Sequence, residues 1–258
     1  MTTLKEIMPL LESFPKEDAK MVLSQAEQYD EMLGKLPKVT DGAGSKKKIN
    51  AGILALNGAS GAGQSYVMKR VENLLKERSL ILPRIYLLAT RAPRPDEGHK
   101  NPYIFAEETS EGFQDIHNPD LFYPHADIYY RYQSRPGADN AILLSDMQAA
   151  REQIMYLETV IPTLLYLKEN ANSGIPAWGD NLKIIYLAAP SGHEWVFRLL
   201  NREPSRLIEE KFRATILGRL SSSLSDMEIA SGNKITCVLN HFGLAEQAAQ
   251  EILSYWGV

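Results

Sequence analysis

Eight residues near position 60 constrain the fold of this chain more than any other segment. They read Gly58-Ala59-Ser60-Gly61-Ala62-Gly63-Gln64-Ser65 and follow the pattern G-x-x-x-x-G-K-[ST] at every position except the lysine. Residues 53–57 before them are typical of a short buried strand, and residues 66–76 after them place apolar side chains at helical spacing. In such a unit, backbone N–H groups and the helix N-terminus bind phosphate oxygens. The sequence therefore predicts a phosphate-binding loop (P-loop) formed by Gly58, Ser60, Gly61, Ala62, Gly63, Gln64 and Ser65.

The missing lysine bears directly on the chemistry of this loop. Gln64 stands in its place and can donate hydrogen bonds, but it carries no charge to set against a β- or γ-phosphate. Loss of one such interaction typically slows a reaction by on the order of 10²- to 10³-fold. The sequence thus predicts nucleotide binding together with impaired catalysis, while a glycine turn that serves packing alone would share part of the pattern.

A second group of phosphate-binding residue types lies between positions 90 and 103. Arg91, Arg94, Glu97 and Tyr103 are gathered here in a proline-containing stretch. Arginine offers a rigid fork of donors that suits a phosphate, and a tyrosine hydroxyl can add one more donor. A solvated, proline-stiffened loop has a similar composition. The stretch alone therefore leaves both interpretations open.

In these two segments together, the chain resembles the guanylate kinase family. That family carries a loop of the G-x-S-G-x-G-K-S type and then T-R-x-P-R-x-G-E-x-x-G-x-x-Y-x-F, with which Arg91, Arg94, Glu97, Tyr103 and Phe105 agree in spacing. Later segments resemble the family's remaining motifs, namely Y-G-S/T at 132–134, I-L-D-I-D-x-Q at 142–148, R-L-x-x-R at 198–202, R-L at 219–220 and V-x-N at 238–240. The resemblance extends from residue 50 or so to the C-terminus.

The resemblance implies an α/β P-loop NTPase three-layer fold with a parallel central sheet, a small mixed-sheet acceptor-binding subdomain and a lid. It implies ATP and Mg²⁺ as cofactors of an active enzyme, GMP or another nucleoside monophosphate as acceptor, and Ser65 as a contact of Mg²⁺. The catalytic positions implied are Gln64, Arg202 and Arg219. The acceptor-binding positions implied are Arg91, Arg94, Glu97, Tyr103, Tyr132, Ser134 and Asp146.

Several positions depart from the family's pattern. Leu144 stands where an aspartate that organises Mg²⁺ is usual, and Tyr123 stands where a glutamate reads the guanine edge. Without that carboxylate, we expect weaker selectivity for guanine. The lid segment is also longer than in the family, so Arg213 competes with Arg219 for the catalytic position.

Composition bounds the class of partner. The formal net charge of −4 argues against a nucleic-acid partner, which favours a basic surface. A single cysteine, Cys237, excludes an internal disulfide framework and fits a reducing compartment. We find neither a signal-peptide pattern nor a membrane-spanning apolar segment, so we expect a cytoplasmic protein.

The chain divides at a linker before residue 49. Residues 1–48 are predicted to form an N-terminal helical extension, with helices at 4–11 and 15–36 whose apolar faces pack on the core rather than on a partner. Residues 49–258 are predicted to form the guanylate-kinase-like domain. Within it we expect an acceptor-binding region at 90–146, a helical insertion at 147–181 and a lid at 199–219.

Alternating strand and helix patterns predict a parallel central sheet. The strand candidates are 52–57, 84–89, 141–144, 183–188 and 235–240. Residues 146–168 repeat apolar side chains at helical spacing and are predicted to form one long helix that Pro162 breaks or kinks. A closing helix is predicted at 245–255.

Two functions are compatible with the sequence. In the first, the chain is a pseudokinase that binds a nucleotide or a phosphorylated protein partner through the acceptor clamp. In the second, it is an active ATP-dependent GMP kinase that forms ADP and GDP. Three departures at catalytic or specificity positions favour the first.

Overall fold

The computed structural model describes residues 2–41, 49–93, 97, 103–135 and 137–258, with only the backbone described at Asp41, Ser134 and Arg135. It divides into two compact units. Unit 1 comprises Met1–Lys48, Leu56–Ile81 and Ile184–Val258. Unit 2 comprises Ile49–Ala55 and Leu82–Lys183. The predicted boundary at residue 48 remains a prediction.

The α-helices are α1 Leu4–Leu11, α2 Lys16–Lys35, α3 Gln64–Glu77, α4 Leu144–Ala149, α5 Ile161–Glu169, α6 Gly192–Leu200, α7 Glu210–Gly232 and α8 Ala245–Trp256. Short 3₁₀ helices occur at Val39–Asp41, His125–Asp127, Gly179–Asn181 and Pro204–Ile208. In the part of the chain that the structure describes, no helix is both long enough and apolar enough to cross a membrane.

The strands are β1 Gly52–Gly58, β2 Leu87–Ala89, β3 Ile104–Glu108, β4 Gly112–Asp115, β5 Phe122–Pro124, β6 Ile128–Arg135, β7 Ala138–Leu143, β8 Ile154–Leu157, β9 Leu182–Ala188 and β10 Thr236–Leu239. They form a four-stranded sheet in the order β10-β9-β1-β8 and a six-stranded sheet in the order β5-β4-β3-β2-β7-β6. The predicted α/β class, with a parallel sheet and a separate mixed sheet, is confirmed.

The strands of the four-stranded sheet are almost fully apolar. β1 pairs in parallel with β8, with Gly52 opposite Ile154, and β10 pairs in parallel with β9, with Thr236 opposite Ile185. β9 is buried along its whole length and β1 along all but its last residue. Continuous apolar runs of this kind are typical of parallel strands that are covered on both faces.

The mixed sheet combines one parallel pair with antiparallel neighbours. β2 runs parallel to β3 and antiparallel to β7, while β6 and β7 form an antiparallel hairpin. Its apolar side packs around buried residues of four strands, with Phe113 and Leu88 among them. The sheet lies within unit 2, and its strand β6 carries two of the predicted acceptor-binding residues, Tyr132 and Ser134.

The two N-terminal helices belong to unit 1, where α2 packs against α6 and α7 and α1 packs against α6. Val22, Ala26 and Tyr29 are buried in α2. The predicted packing of this helix on the core is therefore confirmed. Met21, which the apolar spacing also places on that face, is exposed.

The predicted long helix at 146–168 is wrong. The segment forms α4, then β8, then α5, and β8 is the parallel neighbour of the glycine-loop strand β1. The apolar residues Ile154 to Leu157 are consecutive, so they satisfy a helical spacing and a fully buried strand equally well. Residues 154–157 are therefore a strand of the central sheet and not part of a helix.

The predicted strand at 141–144 also differs. It is the end of β7, an antiparallel member of the mixed sheet, and helix α4 begins at Leu144. The match of residues 142–148 to a parallel strand is therefore wrong, and with it the position assigned to Leu144. Likewise, the candidate at 84–89 forms β2 in the mixed sheet, although Arg84 makes an isolated parallel bridge to Tyr156.

Candidate functional site

The glycine loop lies between β1 and α3, as the motif requires. Gly58 is the last residue of β1, Gly63 is the N-cap of α3, and Gln64 is its first residue. Gly61 and Gly63 have φ angles of 85° and 89°, a left-handed conformation that glycine adopts without strain. Left-handed residues alternating with right-handed ones can turn backbone N–H groups toward one side as an anion-binding concavity. In this loop the Ala62 N–H donates to the Ala59 carbonyl at 2.9 Å.

Polar groups of three later elements hold the backbone of this loop. The Ser60 N–H donates to Ser223 Oγ at 2.9 Å, and the Ser60 carbonyl accepts from Trp195 Nε1 at 2.9 Å. The Ala62 carbonyl accepts from Asn240 Nδ2 at 2.7 Å. A Cβ on Gly63 would lie 2.6 Å from that same nitrogen, so the loop and the side chain of Asn240 fit closely.

Arg198 also contacts the loop, but its guanidinium serves the backbone. Its Nη2 donates to Glu194 at 2.6 Å and to the Asn240 carbonyl at 2.7 Å, and its Nη1 approaches the Ala62 carbonyl at 3.4 Å. Gln64 is half-buried and Ser65 is exposed at the start of α3. Arg198 is therefore engaged in holding the loop and does not replace the charge that Gln64 lacks.

Two of the predicted catalytic residues lie near one carboxylate. Pairing with Arg206 lowers the pKa of Glu203, and the charges of Arg202 and Arg219 lower it further. Arg202 is exposed and Arg219 is half-buried on α7. The competing residue Arg213 donates to the carbonyls of Leu207 and Ile208, which end the short helix before α7.

The predicted acceptor clamp is partly assembled in unit 2. Arg91 makes two bonds of 2.7 Å to the carboxylate of Glu97, and the two side chains are 15% and 8% exposed. The same guanidinium lies 5.1 Å from the ring centre of Tyr103 and 5.0 Å from that of Phe105. The bond to Glu97 raises the pKa of Arg91. Arg94, the second predicted arginine, lies outside the described residues.

Two tyrosine hydroxyls border the same cluster. Thr159 Oγ1 donates to Tyr132 Oη at 2.5 Å, and burial raises the pKa of Tyr132. Burial, and after it the charge of Glu158, raises the pKa of Tyr103. Both hydroxyls are therefore protonated donors at neutral pH. The backbone of Ser134 lies in β6, and its side chain is outside the described residues.

Sequence reasoning missed two polar side chains that border this clamp. Glu158, which follows β8, accepts from Arg84 at 2.9 Å and from the Tyr156 hydroxyl at 3.2 Å. Thr159 is the donor to Tyr132 described above. The available signal was a carboxylate directly after a short apolar run, the position at which polar groups gather in parallel sheets.

Asp146 lies apart from its predicted place at the end of a parallel strand. It belongs to α4, and its charge, after burial and the charge of Asp115, contributes to the raised pKa of Tyr123 in β5. Tyr123 packs against the apolar side of the mixed sheet. The carboxylates whose charges raise the pKa of the clamp tyrosine Tyr103 are Glu158 and Glu97.

The side chains fit Mg²⁺ only through a bound phosphate. In the described parts of the chain, no three His, Cys, Asp or Glu side chains gather as a metal site. Mg²⁺ is commonly held by one or two carboxylates together with substrate phosphates and water. Ser65 at the start of α3 would add a hydroxyl, and the ion would supply charge neutralisation to the phosphates.

Comparison with known proteins gives a likeness to solved structures only. No protein-family model matches the sequence, and no curated protein matches it. Among solved structures, the chain is similar to the crystal structure of guanylate kinase from Anaplasma phagocytophilum, with a TM-score of 0.47 and 15% sequence identity. That similarity covers 80% of this chain and 84% of the other. Identity at this level does not transfer an activity.

Proposed function

We propose that the chain binds a phosphate monoester, foremost GMP or another nucleoside monophosphate, at the clamp, and that it is a weak or inactive kinase. The observation that carries this proposal is the cluster of Arg91, Glu97 and Tyr103, in which a guanidinium is held in place beside a hydroxyl donor. Arginine held in a fixed orientation loses little freedom when a phosphate binds.

The clamp supplies donors of the kind that a phosphate dianion requires. Arg91 has five N–H donors, so it can bind a phosphate while Glu97 continues to hold part of the fork. Thr159 donates to Tyr132, which leaves the proton of the Tyr132 hydroxyl for another acceptor. Tyr103 adds a second protonated hydroxyl. A phosphate here would accept charge-assisted and neutral hydrogen bonds together.

The glycine loop supports binding more than transfer. Its amides provide partial charges for the phosphates of ATP, but Gln64 is neutral and Arg198 is bound to Glu194 and to backbone carbonyls. Transfer requires that charge developing on the moving phosphoryl group be neutralised. With the lysine replaced, we expect ATP to be held without efficient transfer.

Two features bear on the ligand class. Tyr123 offers no carboxylate to a guanine edge, so we expect several nucleoside monophosphates to bind with similar affinity. Glu158 provides a carboxylate beside Tyr103, and Arg84 already pairs with it. A phosphorylated segment of a protein partner presents the same phosphate monoester and would use the same donors.

An active GMP kinase is the second candidate. It is favoured by Arg202 and Arg219, whose charges both act on Glu203. Arginine side chains can neutralise the charge of a phosphoryl group during its transfer. In this case Gln64 would be tolerated, with ATP and Mg²⁺ as cofactors.

A titration combined with an ADP assay separates these functions. GMP, AMP, CMP, UMP and a phosphoserine peptide are titrated by calorimetry, and ADP release is followed with ATP, Mg²⁺ and each monophosphate. The variants are Arg91→Ala in the clamp and Gln64→Lys in the loop. Arg131→Ala is the matched control, because Arg131 also pairs with a glutamate and lies over an aromatic ring in unit 2.

We expect a monophosphate to bind, Arg91→Ala to weaken binding at least about tenfold, and Arg131→Ala to leave it unchanged. We expect little ADP from the native chain and more from Gln64→Lys. GMP-dependent ADP release that needs Arg91 would establish the active kinase instead. Binding of the phosphopeptide alone would assign the clamp to a protein partner. Absence of binding by every probe would refute the proposal.

A further inference from the structure

The N-terminal helix α2 is connected to the glycine loop through one tryptophan. The Tyr29 and Trp195 rings stack with centroids 4.4 Å apart and planes 19° apart, and both side chains are fully buried. On its other edge the Trp195 indole donates to the Ser60 carbonyl. The chain of contacts thus runs from α2, through α6, to the loop, entirely within unit 1.

Hydrogen bonds fix Tyr29 in this position. Its hydroxyl accepts from the Ala189 N–H at 2.7 Å and donates to the Ala189 carbonyl at 3.2 Å. Ala189 directly follows β9, the strand next to β1. Tyr29 is therefore held at both its ring and its hydroxyl, as a rigid support for the indole.

Helices α2 and α6 also approach each other more closely than side chains normally allow. A Cβ on Gly192, the first residue of α6, would lie 1.9 Å from the Ala26 carbonyl oxygen. The Gly192 N–H donates to Asp30 Oδ1 at 2.7 Å. The close contact of the two helix backbones thus depends on a glycine, and it sets the position of Trp195 three residues later.

The bond from Trp195 has a geometric consequence for the loop. In a trans peptide, the carbonyl and the following N–H lie in one plane and point in opposite directions. With the Ser60 carbonyl directed at Trp195, the Gly61 N–H points away from it. The Ala62 carbonyl is directed at Asn240, so the Gly63 N–H points away from that side chain in the same manner.

We infer that Trp195 is a positioning residue for polyphosphate binding at the glycine loop, and that Tyr29 of the N-terminal helix acts through it. The ligand class is the phosphate chain of a nucleoside triphosphate. The inference rests on the proposed function to the extent that the loop binds phosphate. The N-terminal helices are thereby part of the nucleotide site rather than a separate appendage.

The absence of the loop lysine makes this orientation more important. A loop with lysine attracts phosphate through a full charge, even when its amides are imperfectly aligned. Here Gln64 contributes no charge, so affinity depends on how well the amides converge. The bond from Trp195 to the Ser60 carbonyl, which orients the Gly61 amide, should therefore contribute measurably to the binding free energy.

Inorganic tripolyphosphate is titrated into the full chain at constant ionic strength, and binding is monitored by calorimetry and by tryptophan fluorescence. Trp195→Phe keeps an aromatic ring beside Tyr29 but removes the donor to Ser60. Tyr29→Phe keeps the stack and removes both bonds to Ala189. Trp178→Phe is the matched control, because Trp178 is equally buried and lies in unit 2.

We expect Trp195→Phe to weaken tripolyphosphate binding about fivefold, the effect of losing one hydrogen bond, and to abolish the fluorescence change. We expect Tyr29→Phe to weaken it less, and the double variant to add nothing beyond Trp195→Phe, as residues acting in series do. Trp178→Phe should change neither affinity nor signal, and GMP affinity should be the same in the native chain and all four variants.

A second pair of variants tests the contact between α2 and α6 without changing Trp195 or Tyr29. Gly192→Ala pushes α6 from α2, whereas Gly218→Ala adds a methyl group where nothing lies within 4 Å. We expect only the former to weaken tripolyphosphate binding. Native affinity in Trp195→Phe would overturn the positioning role while leaving the loop's phosphate binding intact. No binding by the native chain would overturn both, whereas GMP binding in the same samples reports on the clamp alone.

Discussion

The glycine loop and the Arg91 clamp present hydrogen-bond donors by different means. The loop relies on backbone amides, whose directions are set by side chains that bond to the neighbouring carbonyls, such as Trp195 and Asn240. The clamp relies on side-chain donors, and its main cation is held by a carboxylate, Glu97. Hydrogen bonds to backbone carbonyls maintain the first site, whereas an ion pair maintains the second.

On the function proposed above, this difference explains how a loop can keep its form without the charge that phosphoryl transfer requires. Gln64 brings no charge to the loop, while the left-handed angles of Gly61 and Gly63 and the bond from Asn240 to the Ala62 carbonyl are present. Removal of Arg91 would take both bonds of this pair from the half-buried Glu97 carboxylate, so we expect loss of the cation to lower stability as well. The two sites are therefore sensitive to different kinds of substitution.

The largest effect should come from adding a methyl group to the loop. Gly63→Ala forces a non-glycine residue to φ 89° and places its Cβ 2.6 Å from Asn240 Nδ2. Strain of about 1–2 kcal/mol and the lost bond to Ala62, about 1 kcal/mol, should lower the free energy of unfolding by about 2–3 kcal/mol. Urea denaturation measures it. Gly218→Ala, in the open middle of α7, should be stabilising, and equal midpoints for the two variants would contradict the account.

In the clamp, removal of charge should separate stability from affinity. Glu97→Gln keeps an acceptor for Arg91 but removes the carboxylate that competes with a bound phosphate. We expect the free energy of unfolding to fall by about 1 kcal/mol and GMP affinity to rise by about fivefold. Calorimetric titration tests this, with Glu108→Gln, the partner of Arg131, as control. A lower GMP affinity in Glu97→Gln would show that orienting Arg91 outweighs the competition of the carboxylate with the phosphate.

The loop could be predicted from sequence because its determinants are local. Closely spaced glycines follow an apolar run and precede a helical spacing, so strand, turn and helix are all defined by neighbouring residues, and β1 and α3 occur there. Arg91, Glu97 and Tyr103 also lie close in sequence and meet in the structure. Residues brought together by short loops need no knowledge of the tertiary fold.

The rest depends on contacts between distant segments. The apolar run that forms β8 fits a helix as well as a buried strand, and only its pairing with β1 decides between them. For the same reason Glu158 and Thr159, which follow β8, were not assigned to the clamp. The stack of Tyr29 on Trp195 joins residues 166 positions apart, and no sequence pattern marks it.

A smaller effect should distinguish the hydroxyl donors of the clamp from their aromatic rings. Tyr132→Phe removes the group that accepts from Thr159 and that we expect to donate to a phosphate. GMP affinity should fall about fivefold, the effect of one hydrogen bond, with little change in tripolyphosphate affinity. Tyr130→Phe, in the ring that stacks beside Tyr132, is the control and should bind GMP as the native chain does. Equal losses in both variants would indicate a packing effect.

The smallest effect concerns pH and the loop side of the comparison. Burial raises the pKa of Asp226, which lies on α7 one turn after Ser223, the acceptor for the Ser60 amide. A carboxyl group whose pKa is raised on folding stabilises the fold most when protonated, and that contribution is lost as pH rises through the folded-state pKa.

Asp226→Asn should therefore raise the melting temperature at pH 7, by no more than about 2 °C because the group is only partly buried. The difference should disappear below pH ~4, where the native side chain is also neutral. Thermal unfolding of both proteins from pH 3 to pH 8 measures it, and a melting temperature at pH 7 that is lower in Asp226→Asn would show that the ionised carboxylate has a stabilising partner near the loop.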